Sequence, residues 1–373
     1  MDVSPTLAVG DEFDLEVIVI AHGGHAIGHH AGRTIFVRHA IPGERVHARV
    51  TEVTRKIVRA DAIDILTPST DRVAPPCRFS GPGQCGGCDF QHVTVDRQRS
   101  LKTEVLRSSL ERFAGLTEAD LGRLDPRVLE LPGHPDGLRW RSRIRWSRGQ
   151  DGLAGLRQHR GHRIIPVDHC LIVREDRDAP TDHVPARMSS RVRERTWSLA
   201  SDGFWQVHEA LPEALVDLVL RFGDPKPGER WWDLYSGAGL FAAFLAEQVG
   251  ETGQVIAVEG DRGAVDAGRR ALADLRQVTF RRSDVARWIA EGDHRAPEGV
   301  VLDPPRAGAG KELMAALGGA GIPCIVYVAC DPVALARDIS VLLGMGYRLD
   351  AVVGLDAFPM THHFETVALL SRT

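Results

Sequence analysis

Residues 231–241 read WWDLYSGAGLF, an apolar run that breaks at an acid and a serine into two glycines and leads directly into the helix-forming stretch AAFLAEQVG. A strand that ends in such a turn and re-enters a helix lets a ligand lie against the backbone. Gly237 and Gly239 carry no Cβ to obstruct that approach. Glu259 ends the next apolar run, QVIAVEG, 22 positions after Gly237, where an acid can bind both hydroxyls of a ribose. Sites for NAD and for S-adenosylmethionine share this much. The third glycine of the dinucleotide fingerprint is replaced by Ala242, and S-adenosylmethionine has no pyrophosphate to accommodate there.

RWWDLYS, QVIAVEG, QVTFRRSD, GVVLDPPR, IPCIVYVAC, YRLDAVVGLD and ETVALLSR are candidate strands, with helical segments between most of them. The stretch 208–222, HEALPEALVDLVLRF, reads as an amphipathic helix leading into this series. The alternation predicts a mainly parallel, doubly wound α/β sheet covered on both faces. Glu259, Asp284 and Asp303 end three successive strands at the carboxyl edge, where ligands bind in open α/β sheets. Any one of them alone reads equally as a helix cap or turn acid.

Two cysteines bracket IPCIVYVAC. Cys324, near the strand start, reads as a small core hydrophobe. Cys330, at the carboxyl end before the polar turn DP, sits where a nucleophile would. Carbon 5 of uracil is too weak a nucleophile to attack a methyl sulfonium. A thiolate adding to carbon 6 makes carbon 5 electron-rich, after which a base removes its proton and the thiol leaves. Glu365, which opens the last strand, is the candidate base. Asp303 begins DPPR, and Arg306 stands where amino-group methyltransferases carry an aromatic residue, which counts against methylation of an exocyclic nitrogen.

Residues 6–67 read as a small all-β unit, with EFDLEVIVIA, RTIFVRHA and ERVHARVTEV as strands; a compact barrel of the OB type suits this spacing. His22, His25, His29 and His30 crowd its first loop, read as solvated or near RNA phosphate rather than as a metal site. Cys77, Cys85, Cys88 and Cys170 lie in polar or glycine-rich contexts. One close pair and two singletons fit structural zinc less well than an iron–sulfur cluster. A helix is expected from about Asp96 to Phe113. Between Arg139 and Arg163 there are eight arginines and one acid, Asp151. In RWRSRIRW, Arg139, Arg141, Arg143 and Arg145 alternate with Trp140, Ser142, Ile144 and Trp146, which predicts a strand with one basic, RNA-facing side. Residues 175–195 read mainly as linker.

The chain has 373 residues, 43% of them hydrophobic and 26% charged, with a net charge of −4. This describes a folded, multi-domain protein rather than a disordered one. No apolar run reaches the length that spans a bilayer and the N-terminus lacks a signal pattern. A cytoplasmic location without membrane contact is expected, and no obligate protein partner is evident, so a monomer is expected. Six cysteines in such a chain are not expected to pair as disulfides.

DLYSGAG, LDPPRAG, ACDP and PMTHHFE, in this order, resemble the signature set of the RNA uracil-5-methyltransferase family. IFVRHAIPGERV resembles the TRAM pattern, and PPCRFSGPGQCGGCDFQH the family's 4Fe–4S cluster loop. The resemblance covers nearly the whole chain. It implies a TRAM (OB-like) β-barrel over 1–68, a central Fe–S and RNA-binding domain over 69–195, and a class I S-adenosylmethionine-dependent, Rossmann-like methyltransferase domain over 196–373. It implies Cys330 as nucleophile and Glu365 as base. It places Gln206, Tyr235, Gly237, Gly239, Glu259, Asp284 and Asp303 at or beside S-adenosylmethionine, and Cys77, Cys85, Cys88 and Cys170 on the cluster. Leu240 and Asp284 replace Asn of some members, and Ala329 replaces Ser; none of these removes a catalytic group. The implied partner is RNA, 23S ribosomal RNA in preference to transfer RNA. The alternatives are a noncatalytic RNA-binding Fe–S protein and a methyltransferase for another base atom.

Overall fold

The computed structural model describes residues 7–177, 187–292 and 295–372. Contacts divide the chain into two units, each discontinuous in sequence: one of residues up to Val105 with Gly133–Thr181 and Phe358–His363, the other of Leu106–Pro132, Asp182–Ala357 and Phe364–Thr373.

The first unit opens with a closed barrel in the order β1-β2-β3-β5-β4, made of β1 (Glu12–Ala21), β2 (His25–His30), β3 (Arg33–Arg38), β4 (Arg45–Val53) and β5 (Val58–Thr67). Alternation along β4 buries Val46, Ala48 and Val50 against Leu15, Val17, Val37, Val58 and Ala60. Closure leaves no free strand edge in the barrel. The fully buried Glu44 carboxylate ties the departing chain to it, accepting from the Ser69 N–H at 3.0 Å and from the Arg72 guanidinium at 2.6 Å. The histidines expected in a solvated loop lie mostly on β2. His25 is buried, and that burial pushes its imidazole down to about 3, while His30 stacks on Phe13 at 3.9 Å. Only His22 and His29 of the four are exposed.

Helix α1 (Val95–Ser109) continues into a wider turn, Leu110–Ala114, that Gly115 ends at φ 73°. The helix expected to Phe113 is therefore present, with its last turn loosened. Helix α2 (Glu118–Leu124) and the short β6 (Val128–Leu129) follow in the second unit; β7 (Ser147–Arg148), β8 (Ala154–Arg157) and β9 (Ile164–Pro166) form a small sheet in the first. The arginine strand does not form. Arg139 has φ 61°, which breaks the alternation, and its guanidinium donates to the Val173 carbonyl. Arg141 donates to the Arg143 carbonyl. Trp140 is fully buried. These arginines satisfy irregular backbone, a demand that alternation alone does not reveal.

The second unit holds the sheet. After β10 (Arg187–Val192), which lies in the expected linker, and β11 (Arg195–Ala200), with which it forms a hairpin, come α3 (Leu211–Gly223), β12 (Arg230–Leu234), α4 (Leu240–Val249), β13 (Gln254–Glu259) and α5 (Arg262–Ala271). Then follow β14 (Val278–Arg282), α6 (Val285–Ala290), β15 (Gly299–Leu302), α7 (Lys311–Gly319), β16 (Cys324–Ala329), α8 (Pro332–Leu343), β17 (Tyr347–Leu355) and β18 (Glu365–Arg372). Residues 178–186 of the expected linker lie outside the described residues. The sheet order is β14-β13-β12-β15-β16-β18-β17-β6. Strands β12 to β16 are parallel, and β18 runs antiparallel to both β16 and β17. The strands are apolar because helices cover the sheet; α3, for instance, buries Leu211, Leu215, Val216 and Val219. No helix among the described residues is long and apolar enough to cross a membrane.

Trp231, on β12, fills the space left by two glycines. A Cβ on Gly299 would lie 2.3 Å from its ring and one on Gly223 2.6 Å from it. The indole is 1% exposed and cannot swing into solvent. Gly299→Ala is therefore expected to cost about 1–3 kcal/mol by overpacking. Gly319→Ala, at the end of α7 with open space around the new methyl, is expected to be neutral or to gain about 0.5 kcal/mol. Urea unfolding of both variants checks the pair.

Candidate active site

The site residues of the second unit form a row along the carboxyl edge of the sheet, in the order that the strands impose. Asp284 lies two residues past β14, Glu259 ends β13, Tyr235 follows β12, Asp303 follows β15 and Cys330 follows β16. Glu365 joins them from the other chain direction. Because β18 is antiparallel, its first residue lies at the edge where its parallel neighbours end. The last register pair of β16 and β18 is Ala329 opposite Thr366, so the next positions along each strand are Cys330 and Glu365.

The glycine turn is strained where a ligand would approach. Tyr235 has φ 61°, Gly237 53° and Gly239 79°. A Cβ on Gly239 would meet the Phe280 ring at 2.7 Å, whereas Gly237 faces open space. Glu259 braces the turn, accepting from the Gly237 N–H at 2.9 Å and, through its other oxygen, from the Asp261 N–H at 2.7 Å. Asp284 is exposed and caps α6, accepting from the Arg287 N–H at 2.9 Å. Gln206 is buried at 9% exposure. Tyr235 is half-buried, and burial pushes its hydroxyl up to about 12.

Electrostatics at the Asp303, Cys330 and Glu365 end of the row favour protons. Burial raises Asp303 to about 7. Burial also holds Glu365 well above the usual carboxylate range, with Asp303 adding to the shift and the Arg306 guanidinium opposing it. Burial pushes the Cys330 thiol up to about 12; the Glu365 carboxylate adds to this, and Arg306 again opposes. Each cause is a charge in a poorly solvated place, so one cation close by is worth more than it would be in water. Cys324 is half-buried at the far end of β16, where burial likewise raises its thiol to about 12.

Three supports escaped the sequence reading. Asp233 is fully buried beneath the glycine turn and accepts from the Ala242 N–H at 2.8 Å, its other oxygen without a hydrogen-bond partner. Trp197, on β11 just past the expected linker, donates its indole N–H to the Ala238 carbonyl at 2.9 Å. Asp338 of α8 accepts from the Ala309 N–H at 2.7 Å and from the Tyr327 hydroxyl at 2.6 Å, fixing the loop that carries Arg306. An acid on the buried stripe of a helix, between Leu335 and Leu342, was the available signal for Asp338.

In the first unit, Cys77, Cys85, Cys88 and Cys170 line one cavity of about 370 Å³ together with Arg141 and Gln91. All six cysteines are free thiols. The Gln91 amide donates to Cys88 Sγ at 3.4 Å and the Gly87 N–H to Cys85 Sγ at 3.4 Å. Burial lowers the proton affinity of Arg141, while the Cys170 and Cys88 sulfurs act the other way. Among the described residues, no three His, Cys, Asp or Glu side chains converge as a single metal ion would require.

An eight-stranded sheet with five parallel strands, a reversed β18, a glycine turn after β12 and acids along the carboxyl edge defines a class I S-adenosylmethionine-dependent methyltransferase. The fold is that of the Pyrococcus abyssi tRNA (uracil-54, C5)-methyltransferase solved with S-adenosyl-L-homocysteine, with a TM-score of 0.71 over 95% of this chain and 99% of that one, at 22% identity. Residues 7–63 match the TRAM domain, and residues 292–373 match the family described as tRNA (Uracil-5-)-methyltransferase. An uncharacterized RNA methyltransferase of Streptomyces coelicolor is 38% identical over 98% of this chain and 94% of its own length. A 23S rRNA (uracil(1939)-C(5))-methyltransferase of Halomonas elongata is 31% identical over 98% and 91%. The chain belongs to the RNA uracil-5-methyltransferase family.

Asp233 gives a test of the buried-acid chemistry. Its proton affinity is raised in the fold by burial, then by Asp303 and Glu259. The stability carried by its protonated form is fully present below the unfolded carboxylate value and is lost as pH rises toward the raised folded value. Asn keeps an acceptor for the Ala242 N–H and has no such loss. The stability of Asp233→Asn relative to the parent, measured by urea unfolding, is expected to improve steadily from about pH 4 to about pH 8. A difference independent of pH would show Asp233 to be ionised in the fold.

Proposed function

We propose that this protein methylates carbon 5 of a uridine in RNA, with Cys330 as covalent nucleophile and Glu365 as base. The observation that carries this reading is the placement of both side chains one step past the Ala329–Thr366 pair, at one edge of the sheet. S-adenosylmethionine supplies the methyl group as an electrophilic carbon. Gly237, with open space where a Cβ would stand, gives it room against the backbone, Glu259 has lone pairs left for the ribose hydroxyls, and Gly239, Gln206, Tyr235 and Asp284 flank it. Asp303 lies between this site and Cys330 in the strand order. Cys330 adds to carbon 6 of the uracil, and carbon 5 takes the methyl group. Glu365 then removes the carbon 5 proton, and the sulfur leaves. Arg306 opposes the raised proton affinities of both Cys330 and Glu365, which favours the ionised forms that attack and abstraction need.

The substrate in this reading is 23S ribosomal RNA in preference to transfer RNA. The Halomonas elongata relative, similar from end to end, and the cysteine set both support that choice. Residues 1–68 and 69–195 then serve RNA docking and cluster binding, and 196–373 the chemistry.

Cys77, Cys85, Cys88 and Cys170 are read as ligands of a 4Fe–4S cluster. Support comes from four free thiols around one cavity. A cluster spreads its ligands over separate iron atoms. The Arg141 guanidinium beside Cys88 and Cys170 suits the negative charge of thiolate ligation. The group would tie the Cys77–Cys88 segment to the chain at Cys170.

Cys330→Ala is expected to bind RNA and cofactor yet give no adduct and no product. Glu365→Gln is expected to add and methylate, then stall as a labelled protein–RNA species stable in a denaturing gel and absent when Cys330→Ala is added. Near-normal turnover by Cys330→Ala would overturn the covalent mechanism. Protein made anaerobically is expected to be brown, with iron and sulfide in cluster ratio, and serine at any of the four cysteines to bleach and destabilise it. A colourless protein with one zinc per chain would refute the cluster assignment.

A further inference from the structure

The loop that carries Arg306 is bound to a buried helix acid. Residues 305–308 form a turn, closed by the Gly308 N–H donating to the Pro305 carbonyl at 2.8 Å. Arg306, its second residue, is exposed. Past the turn the chain runs over Asp338 of α8, which is buried. Asp338 Oδ2 accepts from the Ala309 N–H at 2.7 Å and from the Tyr327 hydroxyl at 2.6 Å, and Oδ1 accepts from the Gly310 N–H at 3.2 Å. The Tyr327 hydroxyl also accepts from the Ala309 N–H, at 3.1 Å. Tyr327 is fully buried on β16, three residues before Cys330, so the loop is pinned to the strand that presents the thiol. The approach is close: a Cβ on Gly308, at φ 87°, would lie 2.6 Å from Asp338 Oδ2. A carboxyl on the apolar face of a helix costs stability unless donors satisfy it. Here the donors are loop N–H groups and a hydroxyl that itself touches the loop.

We propose that Asp338 is a positioning residue for Arg306: by holding the backbone of Ala309 and Gly310 against Tyr327, it keeps the guanidinium where it assists ionisation of Cys330. This deepens the reading of Cys330 as nucleophile and Glu365 as base, and it rests on that reading. The groups that face Cys330 are Glu365, Asp303 and Asp331, which oppose its ionisation, and Arg306, which favours it. Asp303 and Arg306 face Glu365 in the same opposed way. Arg306 is the one cation among these groups, so its place decides how far the acids are offset. An opposite charge within a few ångströms holds an acid's pKa about 1–3 below the value it would otherwise have, and the effect fades with distance. An exposed side chain on a free loop would spread its charge over many places, whereas a pinned backbone confines it. Asp338 acts only through that backbone.

The test uses full-length protein made anaerobically: wild type, Asp338→Asn, Arg306→Gln, the double variant and Tyr327→Phe. Two rates are read at Cys330. One is formation of the gel-stable adduct with RNA from cells that lack the gene and were grown with 5-fluorouracil, whose fluorine cannot leave as a cation. The other, measured without RNA and read by peptide mass, is alkylation of the thiol by anionic iodoacetate and by neutral iodoacetamide. The thiolate fraction cancels in the ratio of the two reagents, which leaves the local potential. Asp338→Asn is expected to slow adduct formation about tenfold at neutral pH, as the loss of one nearby cation implies. It is expected to lower the iodoacetate-to-iodoacetamide ratio about threefold, towards that of Arg306→Gln. Added to Arg306→Gln, it is expected to change neither reading further, because both changes act through one cation. A slower adduct with an unchanged ratio marks Asp338 as merely structural and overturns the proposal. So does a full additional loss in the double variant, or a ratio that Arg306→Gln itself leaves unchanged. Should Asp338→Asn fail to fold, Tyr327→Phe removes the hydroxyl shared by Asp338 and the loop; a fall in its ratio supports the proposal and an unchanged ratio overturns it. If wild type forms no adduct with fluorinated RNA, the Cys330 reading fails, while the ratio, which needs no RNA, still decides whether Asp338 places Arg306.

Discussion

Strand β18 runs against β16, and the placement of the whole site depends on that reversal. Five parallel strands end at one edge of the sheet, where their turns collect a cofactor. A sixth parallel strand would have delivered its first residue to the opposite edge, a full strand length away. Running antiparallel, β18 brings Glu365 to the edge where Cys330 lies. Register matters as much as direction, because sliding β18 by one residue turns Glu365 to the other face. Pairing on both sides, with β16 and with β17, holds that register.

The same edge concentrates acids that bury poorly. Asp233, Asp303 and Glu365 all bind protons more tightly than free carboxylates. A base with raised proton affinity is the stronger for removing a proton from carbon, provided that it can be ionised first. Arg306 supplies the opposing charge, and its own loop is fixed by Asp338 and Tyr327 rather than by the sheet. In the proposed reaction, a helix acid remote from the substrate thus sets where the neutralising cation stands.

Arginine in the first unit is used for scaffolding. Arg72 meets the buried Glu44, Arg38 meets Asp89, and Arg139 and Arg141 donate to backbone carbonyls. A guanidinium suits this because its several donors can satisfy irregular backbone in one stroke. Charge density in a sequence therefore says little about which arginines are left to face a phosphate.

The α/β order, the glycine turn, the strand-end acids, and the residues Cys330 and Glu365 were legible in the sequence. Each is a local pattern: apolar runs of strand length, a turn that only glycine tolerates, or a polar residue where an apolar run stops. The barrel was legible for the same reason, through the alternation along β4. What remained hidden was set by contacts between residues far apart in the chain. RWRSRIRW has the period of a strand, but Trp140 is drawn into the core and Arg139 turns left-handed, because tertiary burial outweighs a local preference of small energy. Asp233, Trp197 and Asp338 look ordinary in sequence, and the Asp89–His362 contact joins residues 273 positions apart. The sequence by itself determined which chemical groups end which strands, since that follows from local periodicity. Only the tertiary structure decided which of those ends meet and what holds them, because strand order, chain direction and the hydrogen bonds of buried polar groups are settled when the core closes.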